Sequence, residues 1–533
     1  MTADTPGDPD DTTPAPEGAR TGSEQSDFVE YGIEDKPPLL ESIFLGFQHY
    51  LTMIGATIAI PLALAGAMGM FGSGDVPRLI GTFFVVSGIA TIAQTTIGNR
   101  YPIVQGGTFS MLAPALAIIG ALSAQGAGYE VMLLELQGAI IVAALVEVLI
   151  GYAGLMGWLK QYLSPVVIAP VIALIGLALF NVPQITNPTF AETSQQNWWL
   201  LGLTLVLIIA FSQYLDKYSR YARLFPVLLG VVAAWLVAVA LSATGVYGPE
   251  SVGYVDFGAI AGASLVQPIY PLQWGIPRFT AAYVIGMFAG VLASMVESFG
   301  DYHAVARLAG VSAPSRKRIN HGIGMEGVGN AFAGIMGTGN GSTSYSENIG
   351  AIGITGVASR SVVQIGAVVM IVVGYVGYFG QAVATIPAPI VGGLFIAMFG
   401  QIAAVGLSNL EYVDLESSRN VFIVGIALFA GLAIPAYMGE TGGAAAFQEG
   451  MAGVPVLGAV LGAKLVSDTV FVIGSTGMAV GGLIAFVLDN TVEGTREERG
   501  LEEWEAIAEA EDEFQSVLDR IRDGSDGPEP AAD

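Results

Sequence analysis

Residues 337–355 read GTGNGSTSYSENIGAIGIT. The first twelve, 337–348, are polar and rich in glycine, yet long apolar runs stand on either side. A second stretch, YPIVQGGTFS at 101–110, has the same character. Neither suits a helix facing hydrocarbon. Irregular backbone at membrane depth survives only inside protein or beside a water-filled cavity. Counted along the chain, the two stretches open the third and the tenth membrane segments. Those places are equivalent if the chain is two repeats of seven. Interrupted segments at matching positions in two halves point to the binding site of a transporter. The ordinary alternative is a pair of re-entrant loops. Identity between the halves is weak, so the repeat rests on position.

Composition places the rest of the chain in lipid. Of 533 residues, 53% are hydrophobic and 12% charged, against about 25% charged in a typical soluble protein. Many runs reach the roughly 20 apolar residues that span a bilayer, and the 71 glycines suit closely packed helices. Hydropathy gives about fourteen segments: 42–66, 78–98, 103–123, 131–156, 162–182, 198–215, 223–243, 279–309, 318–337, 343–357, 360–381, 387–407, 420–437 and 466–489. The stretch 439–464 fits a loop, an interfacial helix or part of another span. With the N-terminus inside, the loops after the even-numbered segments hold Arg100, Lys160, Lys217, Arg220, Arg223, Arg316, Lys317, Arg318, Arg360 and Arg419. The outer loops hold mainly Arg78 and Arg278. That asymmetry is what the positive-inside rule requires, and it places both termini in the cytoplasm and the chain in the cytoplasmic membrane. The outer connection 242–278, rich in Gly, Pro and aromatics, reads as an ordered cap.

The net charge of −25 lies largely in residues 1–35 and after 489. Solvated, disordered tails are the ordinary reading, and adaptation to a salt-rich cytoplasm is the sharper one. No basic surface for nucleic acid is present. With no cysteine, disulfides, thiolate catalysis and Cys-based metal sites are excluded. The first forty residues lack the basic and apolar regions of a cleavable signal, so the first membrane helix directs insertion.

Chemistry-bearing residues are few. Glu297 and Asp301 follow an apolar run at i, i+4 spacing, on one helix face. Ionisable groups inside a membrane normally face a cavity and bind substrate or a coupling ion. The plainer reading is a solvated pair at the end of the span. Glu347 and Asn348 open a helical run, where unpaired N–H donors and a partial positive charge collect. The carboxylate there either caps the helix or accepts an N–H from a ligand whose carbonyl the helix start holds. A nucleobase, with donors and acceptors alternating round a flat ring, matches two half-helix ends and two carboxylates. Gln48 and His49 lie early in the first span. His49 reads as a tether to a neighbouring helix before a proton relay. His303 and His321 are weaker candidates, and three scattered histidines make no zinc site.

At these residues the chain resembles the nucleobase–ascorbate transporter family, also called nucleobase:cation symporter-2, over about residues 39–500. ENIGAIGIT at 347–355 is similar to the family signature, Gln48-His49 to its first-helix QH, and ESFGDYHAVARLAG at 297–310 to its eighth-helix E-x-x-G-D block. QGGTFS at 105–110 and DNTVEGTREERGL at 489–501 resemble the third-helix and C-terminal blocks. The resemblance implies an all-α polytopic membrane protein with short strands in broken segments three and ten. It implies a seven-plus-seven inverted repeat with core domains at 41–156 and 279–382, and gate domains at 157–278 and 383–490. Acidic tails at 1–40 and 491–533 flank them. It further implies an elevator-type symporter, dimeric with itself, without a cofactor, coupled to H⁺ or Na⁺. Carried over by motif, Glu297 and Glu347 would bind opposite edges of the base. Backbone around Phe109, Tyr345 and Ser346 would donate to carbonyls. Asp301 would couple the cation, with Glu297 and His49 nearby, and Asn348 would brace the site. TGNGSTS at 338–344 and GDYHAVARL at 300–308 are closer to the ascorbate branch. That branch typically has Pro where this chain has Glu347, and Pro cannot accept an N–H. Uracil carriers have His where this chain has Asp301, so uracil and xanthine both stay open.

An intramembrane aspartyl protease would need a partner for the FGD at 299–301, and no Ser–His or HExxH arrangement appears. A passive channel needs no carboxylates poised for coupling. Anion carriers of the same fold often carry a folded C-terminal domain. The 44 residues after 489 cannot form one, although Leu501, Trp504, Ile507 and Phe514 would suit a short amphipathic helix.

Overall fold

The computed structural model describes residues 29–156, 162–186, 197–501, 514–516 and 519–520. Most of both acidic tails, with Trp504 and Ile507, lie outside the described residues, as does Lys160.

The chain is mostly helical. Among the described residues six helices are long and apolar enough to cross a membrane, and two bent pairs pass the same test together. α1 (Leu39–Leu51) and α2 (Ile54–Ala67) form the first pair, bent by 45°. α3 (Val76–Thr96), α4 (Phe109–Ser123) and α5 (Tyr129–Tyr152) follow, then α6 (Pro165–Leu177), α7 (Trp198–Ile209) and α8 (Pro226–Ala243). The second half holds α9 (Ala281–Leu308), α10 (Arg316–Met336), α11 (Ser346–Thr355), α12 (Arg360–Tyr375), α13 (Gly377–Ala384), α14 (Ala388–Ser408) and α15 (Ser418–Glu440). α16 (Ala444–Ala452), within the ambiguous stretch, precedes α17 (Lys464–Gly474) and α18 (Gly477–Thr491). The sequence predicts one span over 466–489, but α17 and α18 are bent by 95° at Ser475-Thr476. Two glycines, a serine and a threonine in succession (Gly474 to Gly477) are all weak helix formers, so hydropathy stays high where the helix breaks.

The two polar stretches meet. β1 (Gln105–Gly106) pairs antiparallel with β2 (Thr343–Ser344), Gln105 opposite Ser344 and Gly106 opposite Thr343. Each strand leads into a short helix, α4 or α11, so both helices start inside the protein. α11 has ten residues and is about 15 Å long, half a membrane. The segment predicted over 343–357 is therefore a strand and a half-helix.

α10 is long enough to span but too polar for lipid, with Glu326 and Asn330 on its buried surface. It is lodged against α5, where a methyl group on Gly151 would lie 2.2 Å from the Gly324 nitrogen. Glycine is required on that seam because backbone meets backbone. α10 ends on Gly337 in the left-handed conformation (φ 80°). The outer connection closes over that end: Trp274 Nε1 donates to the Gly337 carbonyl at 2.8 Å. The same cap holds Arg78, whose guanidinium lies 4.8 Å from the Trp274 ring and bonds Gln273. On the outside, α15 exposes Phe422 and Phe429 and α8 exposes Leu236, as faces dissolved in lipid do.

Residues 29–38 run along the far end of α11. Tyr31 forms a parallel bridge with Val357, and the amides of Ala358 and Arg360 donate to the carbonyls of Tyr31 and Ile33. Glu34 pairs with both Arg100 and Arg360, at 3.0 and 2.5 Å. Elsewhere the buried Asp489 pairs with Arg419 and Arg499 at 3.0 and 2.7 Å.

Candidate functional site

A cavity of about 590 Å³ lies beside the β1–β2 pair. Phe109 begins α4 on one side of it, and Tyr345, Ser346 and Glu347 begin α11 on the other. Glu297 and Asp301, one turn apart on α9, line it as well. Of the eight residues that the family resemblance assigns to the site, six thus share one cavity. The remaining two, His49 and Asn348, stand just behind it, buried and bonded to each other at 3.2 Å.

The approach to α4 is held by two side chains of the opposite segment, and the start of α11 by a backbone bond. Asn340 Oδ1 accepts the Thr108 N–H at 2.8 Å, and Asn348 Oδ1 accepts the Val104 N–H at 2.8 Å. The Tyr345 N–H donates to the Val104 carbonyl at 3.0 Å. A methyl group on Gly106 would lie 2.3 Å from the Tyr345 ring, so only glycine lets β1 pass so close. The first N–H groups of a helix have no partner within it. Ser346 and Glu347, which open α11, line the same cavity as Glu297 and Asp301.

Asp301 is tied to α11: the Ser346 hydroxyl donates to its Oδ1 at 2.8 Å. The arrangement joins the two acidic elements of the site, α9 and the start of α11. His49 uses Nδ1 as acceptor for the Asn348 amide, which is the tether geometry. His303 lines the cavity, its ring 4.5 Å from that of Phe299. His321 lies apart, against Tyr152 and Phe514. Phe109 meets the Phe399 ring of α14 edge-on at 5.7 Å, a contact across the cavity wall. Among the described residues no group of three or more His, Cys, Asp or Glu could hold a metal ion.

Sequence reasoning missed Glu147, Glu326, Asn330 and Asn340. Each acid is a lone charge in an apolar or glycine-rich stretch, and that isolation was the available signal. Asn340 stood within the quoted polar stretch, but its partner Thr108 is more than two hundred residues away.

Residues 40–440 match the model of the permease family. Solute carrier family 23 member 2 of Homo sapiens is 40% identical over 530 residues, covering 91% of this chain and 78% of that protein. Nucleobase-ascorbate transporter 1 of Arabidopsis thaliana is 36% identical over 503 residues, covering 90% and 93%. Among solved structures, the transmembrane domain of the cyanobacterial bicarbonate transporter BicA aligns with a TM-score of 0.52 at 17% identity, over 75% of this chain and 96% of that one. The murine Solute Carrier 26 family member A9 anion transporter, in its inward-facing state, gives 0.55 at 12% identity, over 79% and 70%. At such identities the likeness concerns the fold alone. A permease-family match over three quarters of the chain, relatives at 36–40% identity and a cavity walled by two broken segments agree, and the chain belongs to the nucleobase–ascorbate transporter family, a multi-pass membrane transporter and not an enzyme.

Proposed function

We propose that this transporter is a cation-coupled symporter of a nucleobase, uracil or a xanthine-like purine. The observation that supports the reading is that Glu297 of α9 and Glu347 of the first turn of α11 line one cavity. A ring with alternating donors and acceptors offers N–H to both carboxylates and a carbonyl to the helix start. Hydrogen bonds to charged acceptors are worth about 1.5–3 kcal/mol net. Asp301, bonded to Ser346 of the same helix start, is the coupling group, with H⁺ or Na⁺ as the ion. Glu297 and His49 support it. Fourteen segments in a seven-plus-seven inverted repeat form the protein, with core domains at 41–156 and 279–382. The gate domains are 157–278 and 383–490, and the core moves as an elevator. Two copies form a homodimer in the cytoplasmic membrane, with all termini in the cytoplasm.

The ascorbate-like alternative is favoured by residues 338–344 and 300–308, and opposed by Glu347. Purified protein titrated with uracil, xanthine, hypoxanthine, urate and ascorbate separates the two. Saturable binding of a base and none of ascorbate is expected, and binding of ascorbate alone would reverse the assignment. In proteoliposomes, accumulation of that base should require an H⁺ or Na⁺ gradient and lose this dependence in Asp301→Asn. Equilibration without any gradient dependence in the wild type would instead mark a passive channel.

A further inference from the structure

The C-terminal part of the chain is attached to the helices at two places. The first lies at the mouth of the cavity. Glu411 and Tyr412, just beyond α14, line the cavity, and a methyl group on Gly500 would lie 2.1 Å from the Tyr412 carbonyl. Arg499 pairs with Asp489 of α18 at 2.7 Å, and Asn420 of α15 donates to the Glu498 carbonyl at 2.6 Å. Leu501 is buried there. These partners all belong to residues 383–490, the gate.

The second attachment is to the core. The buried Phe514 has its ring 4.7 Å from the Arg318 guanidinium and 5.5 Å from the His321 ring. Asp519 pairs with Lys317 at 2.5 Å and accepts the Ser516 N–H at 2.8 Å. Lys317, Arg318 and His321 occupy the first two turns of α10. Residues 502–513 join the two attachments, so the chain passes from the gate lip of the mouth to the core.

Through Arg318 the segment reaches the approach to β1. Arg318 also lies 4.6 Å from the Tyr101 ring and donates to the Asn99 carbonyl at 3.0 Å. The Tyr101 N–H donates to Asn99 Oδ1 at 3.0 Å. Between these two residues Arg100 is buried and left-handed (φ 60°). A residue with a side chain keeps that conformation only where its surroundings fix it. Glu34 holds Arg100 by an ion pair, and Arg318 holds both of its neighbours.

We propose that residues 514–520 are an intramolecular latch and that the start of α10 is its docking surface. Docked, the latch joins core to gate on the side where the cavity is open, and it favours that conformation. Travel of the core to the other side is opposed until Phe514 leaves Arg318. This rests on the elevator reading given above. A contact shifts a conformational equilibrium only if it is worth more in one state than in the other. Here the difference arises because the two attachments lie on the two bodies that an elevator displaces, so travel changes their separation. Because the segment is tethered, it docks at the effective concentration of an intramolecular contact, and few contacts are needed.

The test reads which side the cavity faces and needs no substrate. The chain has no cysteine, and Ala304 of α9 lines the cavity, so Ala304→Cys gives one reporter thiol on the core. In proteoliposomes of known orientation, a membrane-impermeant maleimide is added on the side of the chain termini or on the opposite side. Phe514→Ala in the full chain should raise the ratio of opposite-side to terminus-side labelling by about threefold or more. The exposed Lys317–Asp519 pair supplies a second variant that leaves the core packed. Asp519→Lys should raise the ratio in the same direction, and adding Lys317→Asp should bring it back. An unchanged ratio in both Phe514→Ala and Asp519→Lys overturns the latch and leaves the elevator standing. A reporter that never labels from the opposite side, in any of these proteins, overturns both.

Discussion

Glu347 occupies the first turn of α11, where any carboxylate is stabilised by the helix dipole. Its importance to binding depends on whether a ligand N–H reaches it. Glu347→Gln keeps size and an acceptor but loses charge, and calorimetry on monodisperse protein should show nucleobase binding weakened about tenfold. Equal affinity for every base would reduce Glu347 to a cap and strengthen the ascorbate-like alternative. Glu297, Asp301 and Glu347 were legible in the sequence because each ends or opens an apolar run beside another polar group. Glu147 and Glu326 were not, although they are the same residue type. A lone acid acquires meaning only from the helix facing it, and the partner of Glu147 lies 183 positions away.

At the scale of elements, α11 is fixed at both ends. Its start is braced through Asn348 and His49, and its far end is crossed by residues 29–35. Glu34 fastens that crossing to the residues that precede β1 and begin α12. Burial pushes the Glu34 carboxyl up, but the Arg360 hydrogen bond and the charges of Arg360 and Arg100 outweigh it and hold the group below its ordinary value of 4.5. A depressed carboxylate stabilises the fold above its unfolded value and loses that contribution as pH falls through its folded value. Glu34→Gln should therefore cost about 0.5–1 kcal/mol near neutral pH, solvent screening keeping it small. Thermal melts of the two proteins should converge as the buffer is acidified below the carboxylate range, and a constant gap would remove the ion pairs from the account. The broken segments were legible because polarity at membrane depth has few solutions. The strap along α11 was not, since its partners at 356–360 are over three hundred residues distant, and neither was the bend between α17 and α18, where the short break at Gly474 to Gly477 is flanked by apolar runs.

For the whole molecule, an elevator requires that α4 and α14 slide past one another, and Phe109 and Phe399 meet on that boundary. The chain contains no cysteine, so Phe109→Cys with Phe399→Cys introduces the only two thiols. A short thiol-bridging reagent should abolish uptake by the double variant and spare each single one, with recovery on reduction. A fully bridged protein that still transports would show that this boundary does not move.

The bonds of Thr108 to Asn340 and of Val104 to Asn348 bear on inheritance. The first broken segment is completed by two amides encoded in the second half of the gene, so Asn340 and Asn348 cannot drift freely. Loss of either amide strands a buried N–H on the opposite strand, at a cost of about 1–3 kcal/mol. Because the donors are backbone N–H groups, which every residue but proline carries, related chains should keep an amide at 340 and 348 while 104 and 108 vary, proline excepted.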